Sequence, residues 1–246
     1  MRELFTVAEV EDACGGDDLI VWAAQGMRPG VRAFAHGDGV AVASPRASRR
    51  DRLAVRGGTA DVAALVRHAL AEVGPSYRPF GDAALVAEVA RAVPELAFTA
   101  GFSWMTTTRL ADRTDRDAGG ARWLDPGEEP EVTDLLTSAN PDSYAVPGLP
   151  RVRRWAGIRD AGGRLLAVAA DAWSAPTVGL LAGVATAAEA RGRGLGERVC
   201  RFVARALLDE HGRASLMVDD DNRAAIGVYA RLGFARRRVA AAAVPD

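Results

Sequence analysis

The chain has 246 residues, 49% hydrophobic and 26% charged, and its formal net charge is −1. That length suits one large domain or two small ones, and the composition supports a packed core rather than disorder. The near-zero charge excludes the basic excess that a nucleic-acid binder needs to displace counterions.

No run of residues reaches the about 20 apolar positions of a membrane-spanning helix. The N-terminus turns acidic soon after Met1 and does not resemble a signal peptide. Cys14 and Cys200 are the only cysteines, too few for a disulfide framework or a metal site, so a cytoplasmic setting is expected. The histidines His36, His68 and His211 are scattered, and neither a zinc site nor a Ser-His-Asp triad is expected from them. Every basic residue other than histidine is Arg, which fits the codon use of a GC-rich, bacterial genome.

In chain order, residues 31–43 predict two short strands around the turn His36-Gly37-Asp38-Gly39, and residues 53–55 a third. After Gly57-Gly58-Thr59, the spacing of Val62, Leu65, Val66 and Leu70 predicts a helix that ends at Gly74-Pro75. Residues 77–80 read as extended, 83–93 as a helix stopped by Pro94, and 96–106 as extended again. Residues 109–120 are polar, end in Gly119-Gly120, and form the expected linker between a domain at 1–108 and a second at 121–246.

In the second part, residues 129–138 predict a helix, and 140–150, with three prolines, a loop. Two strands flank the hairpin signal Asp160-Ala161-Gly162-Gly163. Residues 178–186 form an almost unbroken apolar run, as expected of a strand buried on both faces. Then come Arg191-Gly192-Arg193-Gly194-Leu195-Gly196 and a helix whose apolar face holds Val199, Phe202, Val203, Ala206 and Leu207.

The order strand, glycine loop, helix has a physical meaning. Glycines let the backbone approach an anion closely, and the unpaired N–H groups and dipole at a helix start attract a phosphate. The spacing is neither that of a dinucleotide loop nor that of a nucleotide P-loop. Taken alone, the loop could also be no more than a tight turn.

Further on, residues 216–218 predict a strand, followed by Asn222 as a helix N-cap, Tyr229 two turns later, and Gly233 just past the helix end. Together these features resemble the GNAT superfamily of acyl-CoA-dependent N-acyltransferases. Its glycine signature, Arg/Gln-x-x-Gly-x-Gly/Ala, is met from Arg191 to Gly196. Its second signature is met by Asn222, Ala225, Tyr229, Gly233 and Phe234. The resemblance covers residues 121–244 and is nearest to the glycine-N-acyltransferase-like branch, whose members have two domains.

The resemblance implies a mixed α/β (α+β) GNAT fold in the C-terminal half. The N-terminal part repeats its element order and reads as a degenerate GNAT-like domain, with an unrelated α+β domain as the alternative. The resemblance also implies acetyl-CoA as co-substrate, no metal, and a small-molecule or peptide amine as acceptor. Backbone groups of Val184, Ala185 and Thr186 would pair with the pantetheine arm. Arg191, Gly192, Arg193, Gly194, Leu195 and Gly196 would cradle the pyrophosphate. Asn222 would bond the pantetheine region, and Tyr229 would protonate the leaving thiolate.

A carboxylate on the strand before the loop, common in the family, is absent. Asp171 and Asp219 are the candidates for a general base, although each also reads as a solvated turn residue. A CoA-binding sensor without turnover, or a different acyl donor, fits the same signatures. The protein is expected to act as a monomer or homodimer. Trp104 and Tyr144 are candidates to line an acceptor pocket or ordinary packing residues. The arginines 236–238 read as strand surface.

Overall fold

The computed structural model describes residues 1–112 and 120–245. The predicted linker at 109–120 falls largely on residues 113–119, outside the described residues. In chain order the first elements are β1 (Arg2–Leu4), α1 (Val7–Cys14), α2 (Asp18–Ala24), β2 (Arg32–His36), β3 (Gly39–Ala47) and β4 (Arg50–Arg56). Next come α3 (Thr59–Val73), β5 (Arg78–Asp82), α4 (Ala83–Ala92) and β6 (Ala97–Thr107). The chain continues with β7 (Ala121–Trp123), α5 (Glu129–Ala139), β8 (Val152–Arg159), β9 (Leu165–Ala172), β10 (Gly179–Thr186) and α6 (Leu195–His211). It ends with β11 (Ala214–Asp219), α7 (Arg223–Arg231) and β12 (Ala235–Ala243).

Two compact units result. The first holds Met1–Trp104, Met217–Asp221 and the chain from Arg236 onward; the second holds Met105–Leu216 and Asn222–Ala235. The division differs from a cut at the linker, because the last strand joins the first unit.

In the first unit the strand order is β1-β2-β3-β4-β5-β12. Strands β4 and β5 pair in parallel; the helix between them, α3, supplies the crossover that a parallel pair requires. Helix α3 buries Val62, Ala63, Leu65, Val66 and Ala69, the face its periodicity predicts, against Phe34, Leu53 and Val55. Strand β12 runs antiparallel to β5, with Ala240 opposite Gly81.

Helices α1 and α2 precede the first predicted strand and have no counterpart in the periodicity argument, since each is only about two turns long. Their caps are local. Thr6 and Glu9 form a capping box, and Asp17 accepts from Leu19 and Ile20.

Asp17 also holds the guanidinium groups of Arg56 and Arg237 at 2.9 and 2.6 Å. Arg237 therefore points into the unit, a correction to its expected place on the strand surface. Trp104 is likewise core: it is 1% exposed, donates its indole N–H to Asp18 and lies 5.5 Å from Trp22.

In the second unit the order is β11-β10-β9-β8-β7, with β10 and β11 parallel and α6 as their crossover. Residues 105–107 of β6 also belong here: Thr106 donates to the Ala214 carbonyl and accepts from Ser215. Helix α6 buries Val199, Cys200, Val203, Ala204 and Leu207. Both units thus contain the sequence strand, glycine turn, helix, parallel strand, helix.

Candidate active site

Strand β10 changes character halfway along. Gly179, Leu180 and Leu181 pair with Ala214, Ser215 and Leu216 of β11, and there the parallel pairing stops. On its other side β10 stays with β9, but the register shifts between Ala182 and Ala185. This bulge centres on Gly183, whose φ is +62°. A Cβ there would lie 2.4 Å from the Trp155 ring, so both the backbone conformation and the packing demand glycine.

Ala182, Gly183, Val184 and Thr186 are half-buried rather than buried. The expectation of a strand covered on both faces holds only for the first half. The second half is an apolar strand edge without a β11 partner, and it carries the predicted Val184, Ala185 and Thr186.

The glycine loop follows a single 3₁₀ turn at Ala188–Ala190. Gly192 and Gly194 have φ of +73° and +74°, and a Cβ at either would meet nothing within 4 Å. These glycines therefore serve conformation and leave space above the loop. Gly194 is the N-cap of α6, and no side chain caps that helix. Its first N–H groups lack an intrahelical partner and sit at the positive end of the dipole of 17 residues.

Charge near the loop follows the same sense. Glu189 and Glu197 are each paired, with Arg164 and Arg231, while Arg193 is exposed. Arg191 is not aimed outward. Its guanidinium bonds the Thr186 carbonyl at 3.3 Å and the Ala139 carbonyl at 3.2 Å, so its side chain braces the loop.

Helix α7 carries the second signature. Asn222 caps it by accepting from the Ala225 N–H at 3.1 Å, which commits its side-chain oxygen within the chain. The helix ends in paired bonds from Gly233 to Ala230 and from Phe234 to Tyr229, with Gly233 at φ +98°. A Cβ on Gly233 would also lie 3.0 Å from the Ala111 nitrogen.

Tyr229 is 6% exposed, and its ring lies 6.1 Å from that of Phe234. Burial pushes its phenol well above the ordinary tyrosine range, and neighbouring Cys200 adds to the shift. The Cys200 thiol is itself pushed up to about 12 by burial, with Glu197 contributing. Both groups stay protonated at neutral pH.

The base candidates fare differently. Asp171 is fully buried: one oxygen accepts from Ser174 at 2.6 Å, and the other lies 3.3 Å from both Arg153 and Arg154. With both oxygens engaged it is a structural ion-pair residue. Asp219 ends β11 on an exposed position.

Among the described residues, Asp171, Glu210 and His211 are close enough to share a cation. Arg153 and Arg154 already bind both carboxylates, however, and a metal would have to displace them. The group is a charge-compensated network. Asp220, in the run of three acids, is likewise held by Ser103, Arg236 and Arg238, with the Ser103 bond first among the causes that lower its pKa.

One site residue escaped the sequence argument. Asn140, the C-cap of α5, donates its amide to the Val184 carbonyl at 3.1 Å. Gly183 could have been suspected, since an isolated glycine in a strand pattern often marks a bulge. Nothing local marks Asn140, because its partner lies 44 residues away.

Comparison with known proteins gives a consistent fold. The FR47-like protein family profile matches residues 156–242. A GCN5-related N-acetyltransferase from Kribbella flavida superposes with a TM-score of 0.62 at 19% identity, covering 94% of this chain and 96% of that one. A GCN5-related N-acetyltransferase from Sphaerobacter thermophilus gives 0.57 at 16%, covering 96% and 89%. An acetyltransferase of the GNAT family from Colwellia psychrerythraea gives 0.52 at 15%, covering 98% of each chain. No curated protein sequence matches significantly.

The chain thus has the mixed α/β GNAT fold and shares it with proteins of similar length. No helix among the described residues is long and apolar enough to cross a membrane.

Proposed function

We propose that the chain is an N-acetyltransferase that moves the acetyl group of acetyl-CoA to a primary amine, within the two-domain, glycine-N-acyltransferase-like branch of the GNAT proteins. One observation carries this reading: the bulged half of β10 that has parted from β11 leads, through one 3₁₀ turn, into an uncapped helix N-terminus behind Gly192 and Gly194. An extended amide-bearing arm ending in a pyrophosphate matches both. The arm adds to the strand edge through Val184, Ala185 and Thr186, and the phosphates take the N–H groups at the start of α6.

In the proposed reaction the amine nitrogen attacks the thioester carbonyl carbon and the new C–N bond forms. A backbone N–H at the bulge stabilises the developing oxyanion. The C–S bond then breaks, the thiolate takes the phenolic proton of Tyr229, and a proton from solvent restores the phenol before the next turnover. The nitrogen loses its surplus proton to water or buffer, since Asp171 is committed to its ion pairs. Asn222 acts chiefly by fixing the start of α7, and Arg191 by bracing the loop. The acceptor is a small-molecule or peptide amine, and the protein works in the cytoplasm as a monomer or homodimer.

The engaged state of Asp171 also suits a second reading, a CoA-binding sensor without turnover. Thiol release from acetyl-CoA with a panel of primary amines separates the two. Amine-dependent release supports transfer, whereas CoA binding without release from acetyl-, propionyl- or succinyl-CoA supports the sensor.

A further inference from the structure

The C-terminus of α5 touches both parts of the candidate site. The Ala139 carbonyl receives the Arg191 guanidinium, and the Asn140 amide grips the Val184 carbonyl. Only the amide nitrogen of Asn140 can face a carbonyl oxygen, because oxygen against oxygen would repel. Asn140 is itself held at two backbone points. Its N–H donates to Leu136 at 2.8 Å, and its carbonyl accepts from Ser143 at 3.1 Å.

The peptide unit is planar, so holding the Val184 carbonyl also sets the direction of the Ala185 N–H on the other side of that bond. The peptide lies at the end of the register shift, where Val184 has no partner on β9 and the ladder resumes with Ala185 opposite Val168. Gly183, the residue before Val184, itself takes a conformation closed to most other residues, with φ of +62°. The Asn140 amide thus holds a backbone carbonyl at the irregular point of the strand from outside it.

We infer that Asn140 is a positioning residue for the acyl-bearing end of the donor: by holding the Val184 carbonyl it sets which backbone groups of the bulge face the thioester. This rests on the acyl-transfer reading for its chemistry, but the hold itself can be tested without turnover. Asn140 also begins the 140–150 loop, so the same contact ties that loop to the strand edge. Arg191 performs the parallel service for the glycine loop, which separates the two roles: Asn140 acts on the chemical step and Arg191 on donor affinity.

The test uses the full chain. Asn140→Ala keeps both backbone bonds of residue 140 and removes only the amide. Amide hydrogen exchange should accelerate at residues 183–186, with α5 and β9 unchanged. With acetyl-CoA and an accepted amine, kcat should fall about tenfold, the rate equivalent of one lost hydrogen bond, while CoA affinity by calorimetry changes less than about threefold. Asn140→Asp, which sets a carboxylate against the carbonyl, should fall further.

Unchanged exchange at 183–186, exchange that accelerates across the whole second unit, or equal kcat in the variant and wild type would each overturn the assignment. A wild type that neither binds CoA nor releases thiol would instead sink the acyl-transfer reading. The exchange data would still decide whether Asn140 holds the bulge.

Discussion

The turn Gly57-Gly58 and the loop from Arg191 to Gly196 stand at the same point of the same element order, yet one is closed and the other open. At the start of α3, Asp38 from the β2–β3 turn accepts the Gly58 N–H at 2.9 Å, and Asp61 accepts the Asp38 N–H at 3.3 Å. The turn lies so close that a Cβ on Gly57 would sit 2.6 Å from the Gly39 Cα. Strand β5 is equally near β4: a Cβ on Gly81 would be 2.4 Å from the Val55 carbonyl oxygen. Both helices have a glycine N-cap without a capping side chain of its own, but at the start of α6 Gly192 and Gly194 face open space and the second half of β10 has no β11 partner.

The lesson is that a helix terminus attracts an anion from whatever source is nearest. In the first unit that anion is the chain's own carboxylate. A cavity of about 670 Å³ does lie in this unit, but its lining includes Asp12, Asp38 and Asp82, and its Arg56 and Arg237 are both paired to Asp17. It presents the wrong sign for a pyrophosphate. On the proposed reading, what sets the Arg191–Gly196 loop apart is the room above its glycines, which the Gly57-Gly58 turn lacks.

The largest expected effect comes from closing the open loop in the same way. Gly194→Asp places a carboxylate at the α6 terminus, and CoA affinity should drop at least about 100-fold, the outcome of exchanging attraction for repulsion at a desolvated phosphate. Calorimetry should give one CoA per wild-type chain and none for the variant. A second site, or one that survives in the variant, would break the comparison.

Next in size, Tyr229→Phe keeps the buried ring and removes the hydroxyl. CoA affinity should hold, and kcat should fall roughly 100-fold, the scale of general acid catalysis. The acid acts in its protonated form, and burial raises the pKa, so that form persists as pH rises. The wild-type rate should show no alkaline limb from Tyr229 below about pH 10, the ordinary tyrosine value. Steady-state rates from pH 7 to about pH 10 check this; an equal rate for the variant in a step limited by chemistry would remove Tyr229 from the mechanism.

Smaller effects belong to the closed turn and concern stability alone. Gly57, at φ +127°, has no room for a methyl group. Gly57→Ala should destabilise by roughly 2–3 kcal/mol through strain and overpacking, lowering Tm by about 5–10 °C. Asp38→Ala loses one cap-like bond, about 1 kcal/mol and a Tm shift of about 2–4 °C. Thermal unfolding measures both. Neither variant should change CoA affinity at the other unit, and a loss of binding in either would mean that the two turns are functionally linked.

The sequence alone carried those features that depend on neighbours a few residues apart. Glycines with positive φ at 192, 194 and 233, the Asn222 cap, the apolar face of α6, and the spacing from Asn222 to Tyr229 are all local, because helix geometry and backbone sterics act over one or two turns. The signatures built from them specified the fold.

Tertiary structure decided what each polar group meets. Arg191 lies in the glycine signature but binds the carbonyls of Ala139 and Thr186; Asp171 was a possible base but is locked by Arg153, Arg154 and Ser174. Arg237 was read as surface, yet it reaches Asp17 220 residues away. Asn140 gave no signal at all. A side chain's partner is set by which strands and helix ends the fold brings together, and a hydrogen bond or ion pair leaves no periodic trace in the sequence between its two ends.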